Sequence, residues 1–226
     1  MNVTAIIVAA GRGRRMGAAE KKQFLLLGQK PIFLHAVERI SHVPAIRDIV
    51  VVTAAEDIVR TSHLMERAHI PVPTRITAGG PERQESVYQG ILAAGDSSHL
   101  LVHDGARPLV QQDDVRRLLA ALHDHPAAIL AAPVKDTVKW VENGRAERTL
   151  PREKLWLSQT PQAFSSDLLR LAHERARAEH WSATDDASLV EQLGIPVHIV
   201  TGSPFNFKIT TPEDLTLAEA LLEKGI

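Results

Sequence analysis

Directly after the first apolar run, the chain reads Ala9-Ala10-Gly11-Arg12-Gly13-Arg14-Arg15-Met16-Gly17, and Lys21-Lys22 follow shortly after. Glycine lets backbone N–H groups approach phosphate oxygens closely, so a turn of this kind is a candidate anion cradle. Two known phosphate-binding patterns do not fit it. Glycines 11, 13 and 17 give G-x-G-x-x-x-G, one residue off the dinucleotide fingerprint, and the acid expected about 20 residues on, at the end of the second strand, is missing. No G-K-S/T follows, so the P-loop spacing fails as well. What sets this turn apart is its charge. Between Met1 and Lys30 stand six basic residues (Arg12, Arg14, Arg15, Lys21, Lys22 and Lys30) against one acid, Glu20. Such a surplus suits a ligand more anionic than a diphosphate, or one whose charge grows during reaction. The plain alternative is a solvated basic loop.

The elements that must hold this turn are legible from periodicity. Thr4 to Ala10 is a continuous apolar run ending in glycines, as in a strand buried on both faces. Pro31 to Val43 reads as a helix with Pro in its first turn, 48–53 as a second buried strand, and 56–69 as a second helix. A weaker strand at 74–77 is followed by Gly79-Gly80-Pro81 and a helix through Ala94. Strands at 100–103 and 128–132 flank a helix whose Val115, Leu118, Leu119 and Leu122 form one apolar stripe. This alternation predicts an α/β fold: a mostly parallel, doubly wound, Rossmann-like sheet with helices on both faces. Thr137 to Thr149 interrupts it with Asn143-Gly144, a two-residue hairpin signal, and Val138 and Trp140 give this β-arm an apolar edge. Helices near 166–179 and 186–193, a strand at 197–200 and a final helix capped by Thr211-Pro212-Glu213-Asp214 complete the chain. A single domain over 1–226, with its arm at about 137–152, is expected.

Composition narrows the chemistry. The 226 residues are 44% hydrophobic and 23% charged, enough for a self-sufficient core, and none is cysteine. That removes disulfide scaffolds, cysteine metal sites and thiol catalysis. A formal net charge of −1 offers no general attraction to nucleic acid or membranes. No apolar run is long enough to span a bilayer and no signal-peptide pattern opens the chain, so a cytoplasmic location is expected. His123 and His125 end an amphipathic helix without an H-E-x-x-H, and no G-x-S-x-G occurs.

A longer series of strings carries a resemblance. A-A-G-R-G-R-R-M-G with K-K-Q-F, G-G-P-E-R-Q-E-S-V at 79–87, H-D-G-A-R-P at 103–108 and A-P-V-K-D-T at 132–137 come first. Q-T-P-Q at 159–162, T-D-D-A-S at 184–188 and F-K-I-T-T-P-E-D-L at 207–215 follow. In this order the chain resembles nucleotidyltransferases related to the sugar-nucleotide pyrophosphorylases, and among them the 2-C-methyl-D-erythritol 4-phosphate cytidylyltransferase family. Gly105 and Pro81 stand where that family often has Ala and an acid; Pro81 has no backbone N–H to offer a base.

The resemblance implies joining CTP to a polyol phosphate with loss of pyrophosphate, with Mg²⁺ as cofactor. It implies that Arg15 and Lys22 stabilise the transition state, and that Ala9, Ala10, Gly11, Gly13, Gly80, Glu82 and Ser86 bind CTP. It places Arg152, Thr160 and Lys208 at the acceptor phosphate, with Asp104, Arg107 and Thr137 also on the acceptor side. Asp104 stands at the carboxyl end of a strand, where open α/β sheets bind ligands. It reads as a Mg²⁺ ligand, a substrate-orienting carboxylate or a turn cap. Arg107 reads also as a surface arginine, Thr137 as a strand former, and Lys208, opposite Phe207 and Ile209 on a short strand, as a solvated lysine. The arm implies a homodimer, since an isolated two-stranded ribbon is marginal in water. Transfer to ribitol 5-phosphate and a non-catalytic nucleotide sensor are the competing functions; Arg15 and Lys22 together favour catalysis over binding alone.

Overall fold

The computed structural model describes residues 1–11 and 20–226. Its seven-stranded sheet takes the strands Val3–Val8 (β1), Ile46–Thr53 (β4), Thr74–Ala78 (β5), His99–Asp104 (β6), Ala127–Pro133 (β7), Trp156–Ser165 (β10) and His198–Thr201 (β11). Leu26–Leu27 (β2) pairs with Lys30–Pro31 (β3), and Val138–Glu142 (β8) with Arg145–Leu150 (β9), each as a separate ribbon. The α-helices are Ile32–Ser41 (α1), Ile58–Ala68 (α2), Arg83–Ala93 (α3), Gln112–Ala121 (α4), Ser166–Ala178 (α5), Asp186–Gln192 (α6) and Pro212–Glu223 (α7). The sheet order is β11-β7-β10-β6-β1-β4-β5, and every neighbouring pair is parallel except those of β10.

The continuous apolar runs make sense against the two helical layers. Val3, Ala5 and Ile7 of β1, with Ile49 and Val51 of β4, point into one core with α1 and the α4 stripe Val115-Leu118-Leu119-Leu122. Ile6, Val50 and Val52 point the other way, against Val87 and Ile91 of α3 and Leu169 and Ala172 of α5. Alternate residues therefore serve opposite layers. A third, smaller cluster joins Leu27 and Ile32 to Ile209 and to Ala218 and Leu221 of α7, holding the C-terminal segment beside the sheet edge. Thr211 caps α7 as expected: its hydroxyl accepts the Asp214 N–H at 3.3 Å.

Four features differ from the sequence expectation. β10 is the largest: its residues alternate little and carry Gln159, Thr160, Pro161 and Gln162, which mask a strand from periodicity. It is buried between β6 and β7, and its register shifts between Ser158 and Gln162. β1 stops at Val8, although the Ala9 N–H still donates to Val52 O at 2.7 Å. Residues 207–210 are not a strand, yet Ile209 is fully buried and its N–H donates to Ala106 O at 2.9 Å. The β2–β3 ribbon was also not expected.

The arm forms as the sequence predicts. Asn143 and Gly144 both have positive φ (49° and 76°), as the two central residues of a tight hairpin turn require. Among the described residues β8 and β9 pair only with each other, and Trp140 remains 45% exposed, covered on its ring by Arg148 at 5.1 Å.

Gly90 tests how tightly α3 is pressed on the sheet. A Cβ there would collide with Ile6 and stand 3.0 Å from Val52 Cγ2, both fully buried. Alanine gains about 1 kcal/mol of helix propensity over glycine, which opposes this clash. Overpacking against a fully buried sheet wins, so Gly90→Ala is expected to destabilise by about 1–3 kcal/mol, measured from the urea midpoint.

Candidate active site

The parallel strands deliver their carboxyl ends to one edge, and the chain's loops gather there. Sheet order reverses at β1, which lies between β4 and β6, so the loops after β1 and β6 diverge and open a crevice. Ala9 to Gly11 form one wall. Gly79 to Glu82, between β5 and α3, form the other. Gly79 allows the close fit, because a Cβ there would stand 2.8 Å from that of Ala10 and 2.6 Å from Ser86 Oγ. Ser86 Oγ lies 3.0 Å from Glu82 O and 3.2 Å from Gly80 O, which fixes the curl of this loop. Glu85 accepts the Glu82 N–H at 3.1 Å as part of a capping box at the start of α3. The crevice, with its open mouth included, spans about 650 Å³, and Lys22, Pro81, Asp104 and Lys208 also line it.

The adjacent lysines diverge. Lys21 turns away to Glu56 and Asp57, at 2.7 and 2.5 Å, and Glu20 takes two bonds from Arg60. These pairs tie the exit of the glycine-rich segment to the start of α2 and leave Lys22 on the crevice wall. Lys21, counted in the basic surplus, is thus part of the anchor. Gly13 and Arg15, with Arg12 and Arg14, lie outside the described residues.

A second cleft of about 520 Å³ adjoins the first. Arg107, Thr160 and Asp185 line it, and Arg83, Asp104 and Lys208 line both. β10 supplies one side because it runs antiparallel: its early residues reach the edge where β6 ends. The Asp104 N–H donates to Thr160 Oγ1 at 3.0 Å. His103 Nε2 is 3.1 Å from Arg107 O, which can only accept, so that nitrogen carries the proton. Nδ1 is then an acceptor, and Thr160 Oγ1, 3.1 Å away, donates to it. Burial pushes the His103 imidazole down to about 4, so the ring stays neutral and this arrangement holds. The Thr160 hydroxyl thus donates to His103 and accepts from the Asp104 N–H, which shapes the loop from Asp104 to Arg107.

Asp104 is the charged centre. Only 6% exposed, it accepts from Arg83 Nε at 3.0 Å through Oδ1 and from Lys208 Nζ at 2.8 Å through Oδ2, with Arg107 Nε at 3.8 Å. Burial alone would raise its pKa, but Arg83, Lys208 and Arg107 together hold the carboxyl well below the usual range. Its oxygens face cations already, which does not suit a primary Mg²⁺ ligand, and among the described residues no group of three or more His, Asp or Glu could hold a metal. Lys208 is therefore a cleft residue, held by Phe207 and Ile209 packing on the other side. Arg107 Nη1 donates to Asn206 O at 2.7 Å, binding the two loops together.

Thr137 and Arg152 are not brought to either cleft of their own chain. Thr137 is exposed at the foot of the arm, and Arg152 lies past β9, donating to Lys135 O at 2.7 Å. The sequence reading assigned no role to Arg83 or Asp186. Both stand inside quoted strings, but Asp186 is 103 residues from Arg83, and nothing local signals the pairing.

Comparison with known proteins agrees with this geometry. Residues 3–224 match the family described as IspD, 2-C-methyl-D-erythritol 4-phosphate cytidylyltransferase. A protein of that name from Geobacter metallireducens is 47% identical over 231 residues, covering all of both chains. One from Halalkalibacterium halodurans is 46% identical, covering 98% of this chain and 97% of that protein. Among solved structures, the Thermus thermophilus enzyme of the same name superposes with a TM-score of 0.79 at 37% identity, covering 99% of this chain and all of that one. A 4-diphosphocytidyl-2C-methyl-D-erythritol synthase from Anaerococcus prevotii gives 0.87 at 30% identity, covering 98% of each. With two joined clefts at the carboxyl edge of its sheet and this likeness along its whole length, the chain belongs to the 2-C-methyl-D-erythritol 4-phosphate cytidylyltransferase family.

Proposed function

We propose that this chain transfers the cytidylyl group of CTP to 2-C-methyl-D-erythritol 4-phosphate, a step of non-mevalonate isoprenoid biosynthesis, releasing pyrophosphate. The observation that carries the reading is the pair of clefts meeting at Arg83, Asp104 and Lys208, one glycine-walled and the other lined by polar groups. CTP occupies the first, with its base beside Gly80 and Ser86 and its triphosphate along Ala9 to Gly11. The polyol phosphate occupies the second, beside Arg107 and Thr160.

In the reaction a phosphate oxygen of the acceptor attacks the α-phosphorus of CTP in line, the new P–O bond forms, and the bond to the β,γ-pyrophosphate breaks. The nucleophile is already an anion, so no general base is needed. The barrier lies in bringing polyanions together and in the charge that develops on the leaving group, which fixed cations relieve. Lys22 and Arg15 serve that charge, while Lys208 holds the acceptor phosphate. Asp104 keeps Lys208 in place and faces the acceptor's hydroxyl end. A divalent cation such as Mg²⁺, when bound with CTP, would supply charge neutralisation; Asp104, whose oxygens already accept from Arg83 and Lys208, would not be its ligand.

The protein works as a homodimer in the cytoplasm. The exposed Trp140 and Val141 of the arm, with Trp156 and Leu157 nearby in the chain, offer apolar surface for a second copy. Thr137 and Arg152, remote from their own clefts, then serve the partner's acceptor site. Among the described residues no helix is long and apolar enough to cross a membrane.

Pyrophosphate release from CTP, with methylerythritol phosphate and ribitol 5-phosphate offered separately, tests the activity; turnover of ribitol 5-phosphate alone overturns it. Lys22→Ala is expected to lower kcat about 10²–10³-fold with a smaller change in the KM for CTP. A normal kcat with only a raised KM removes Lys22 from the transition state. Mixing Lys22→Ala with Arg152→Ala under subunit exchange distinguishes sharing between chains. If Arg152 acts on the partner's site, half the dimers are mixed and each holds one intact site, so about a quarter of wild-type activity returns. If it acts within its own chain, none returns.

A further inference from the structure

Behind Arg83 lies a carboxylate that lines neither cleft. Asp186, at the start of α6, accepts from Arg83 Nη1 at 2.9 Å through Oδ2, and its Oδ1 is 3.0 Å from His173 Nε2 on α5. Both side chains are only 1% exposed. The backbone N–H groups of Asp186 and Ala187 both donate to Gln162 Oε1 at 3.1 Å, which fixes the helix start to β10. Arg83 spans from this buried pair to Asp104, giving Nη1 to one carboxylate and Nε to the other.

That orientation is not what a lone arginine facing a lone carboxylate adopts. A guanidinium prefers two parallel bonds to the two oxygens of one carboxylate. Here Arg83 gives Asp104 a single bond, and its buried Nη2 has no hydrogen-bond partner. The arrangement leaves Asp104 Oδ2 for the Lys208 ammonium at 2.8 Å. A fork on Asp104 would put a second guanidinium N–H on Oδ2, in competition with Lys208 for the same oxygen. The charge on Asp186 is secure: burial would raise its pKa, but Arg83 and the His173 bond hold it below the ordinary carboxylate value.

We infer that Asp186 and Arg83 are positioning residues, with Asp186, steadied by His173, turning the Arg83 guanidinium so that Asp104 keeps one oxygen for Lys208. The inference rests on the cytidylyl-transfer reading, with Lys208 on the acceptor phosphate. The Asp186 side chain lines neither cleft, and its charge reaches Lys208 through Arg83 and Asp104.

The test is steady-state pyrophosphate release by Asp186→Asn, which keeps the shape and removes the charge. It is varied in acceptor at saturating CTP and then in CTP at saturating acceptor, with the melting temperature and circular dichroism recorded beside it. The acceptor kcat/KM is expected to fall by about tenfold or more, as small misplacements of a positioned group do, while the KM for CTP stays within about twofold. A folded variant with wild-type acceptor kcat/KM, or one whose KM for CTP rises in step with that of the acceptor, overturns the inference. Should Asp186→Asn not fold, Arg83→Lys carries the test, because one ammonium cannot span both carboxylates; an unchanged acceptor kcat/KM there overturns it equally. Absence of pyrophosphate release by the wild-type protein would instead reject the functional reading on which the inference stands.

Discussion

The structure turns on one buried charge, the carboxylate of Asp104. A carboxylate removed from water is tolerated only when paired, and breaking such a pair by removing one partner commonly costs roughly 3–5 kcal/mol. Its partners come from distant parts of the chain: Arg83 from the start of α3, Arg107 from the loop after β6, and Lys208 from the segment before α7. Each arrives on an element with its own reason to be there. α3 packs on β1 and β4, the loop is fixed by His103 and Thr160, and residues 207–209 are held by the small core around Leu27 and Ile32. The charge therefore ties together pieces that hydrophobic packing only brings near.

The same arrangement explains how one edge of a sheet presents two adjoining clefts. Parallel strands give loops of one kind, with glycine turns and helix starts suited to a nucleotide's phosphates. β10, the reversed strand, brings a different set to that edge: Ser158, Gln159 and Thr160, joined to Asn206 by bonds at 3.1 Å to Gln159 Oε1 and 2.8 Å to Thr160 O. The Gln159 and Thr160 side chains can be buried there because they find partners in Ser203, Asn206 and His103. The reversal of one strand thus sets a second cleft beside the glycine-walled crevice, and Asp104 stands at the junction because β6 lies between β1 and β10.

The arm obeys a different rule. Its turn is dictated locally by Asn143 and Gly144, but its strands have no third neighbour and little core of their own. Trp140 is partly covered by Arg148 and anchored by a bond from its indole N–H to Glu142 at 2.8 Å. Local chemistry is sufficient to define the ribbon, although an isolated two-stranded ribbon is marginal in water.

What the sequence by itself determined follows from interactions that are short in range or repeat along an element. The buried strands β1, β4 and β6, the α4 stripe, the Thr211 cap and the hairpin turn were all legible because each depends on neighbours a few residues away. The order of short motif strings also carried the family resemblance across the chain, and with it residues assigned to the clefts. The tertiary structure alone decided the rest. β10 escaped notice because its polar residues are satisfied by partners up to 57 residues away, which no periodicity records. Lys208 was indistinguishable from a solvated lysine until Asp104, 104 residues earlier, was placed beside it. Arg83 and Asp186 were silent for the same physical reason: a buried charge is defined by what surrounds it, and only the folded chain brings those surroundings together.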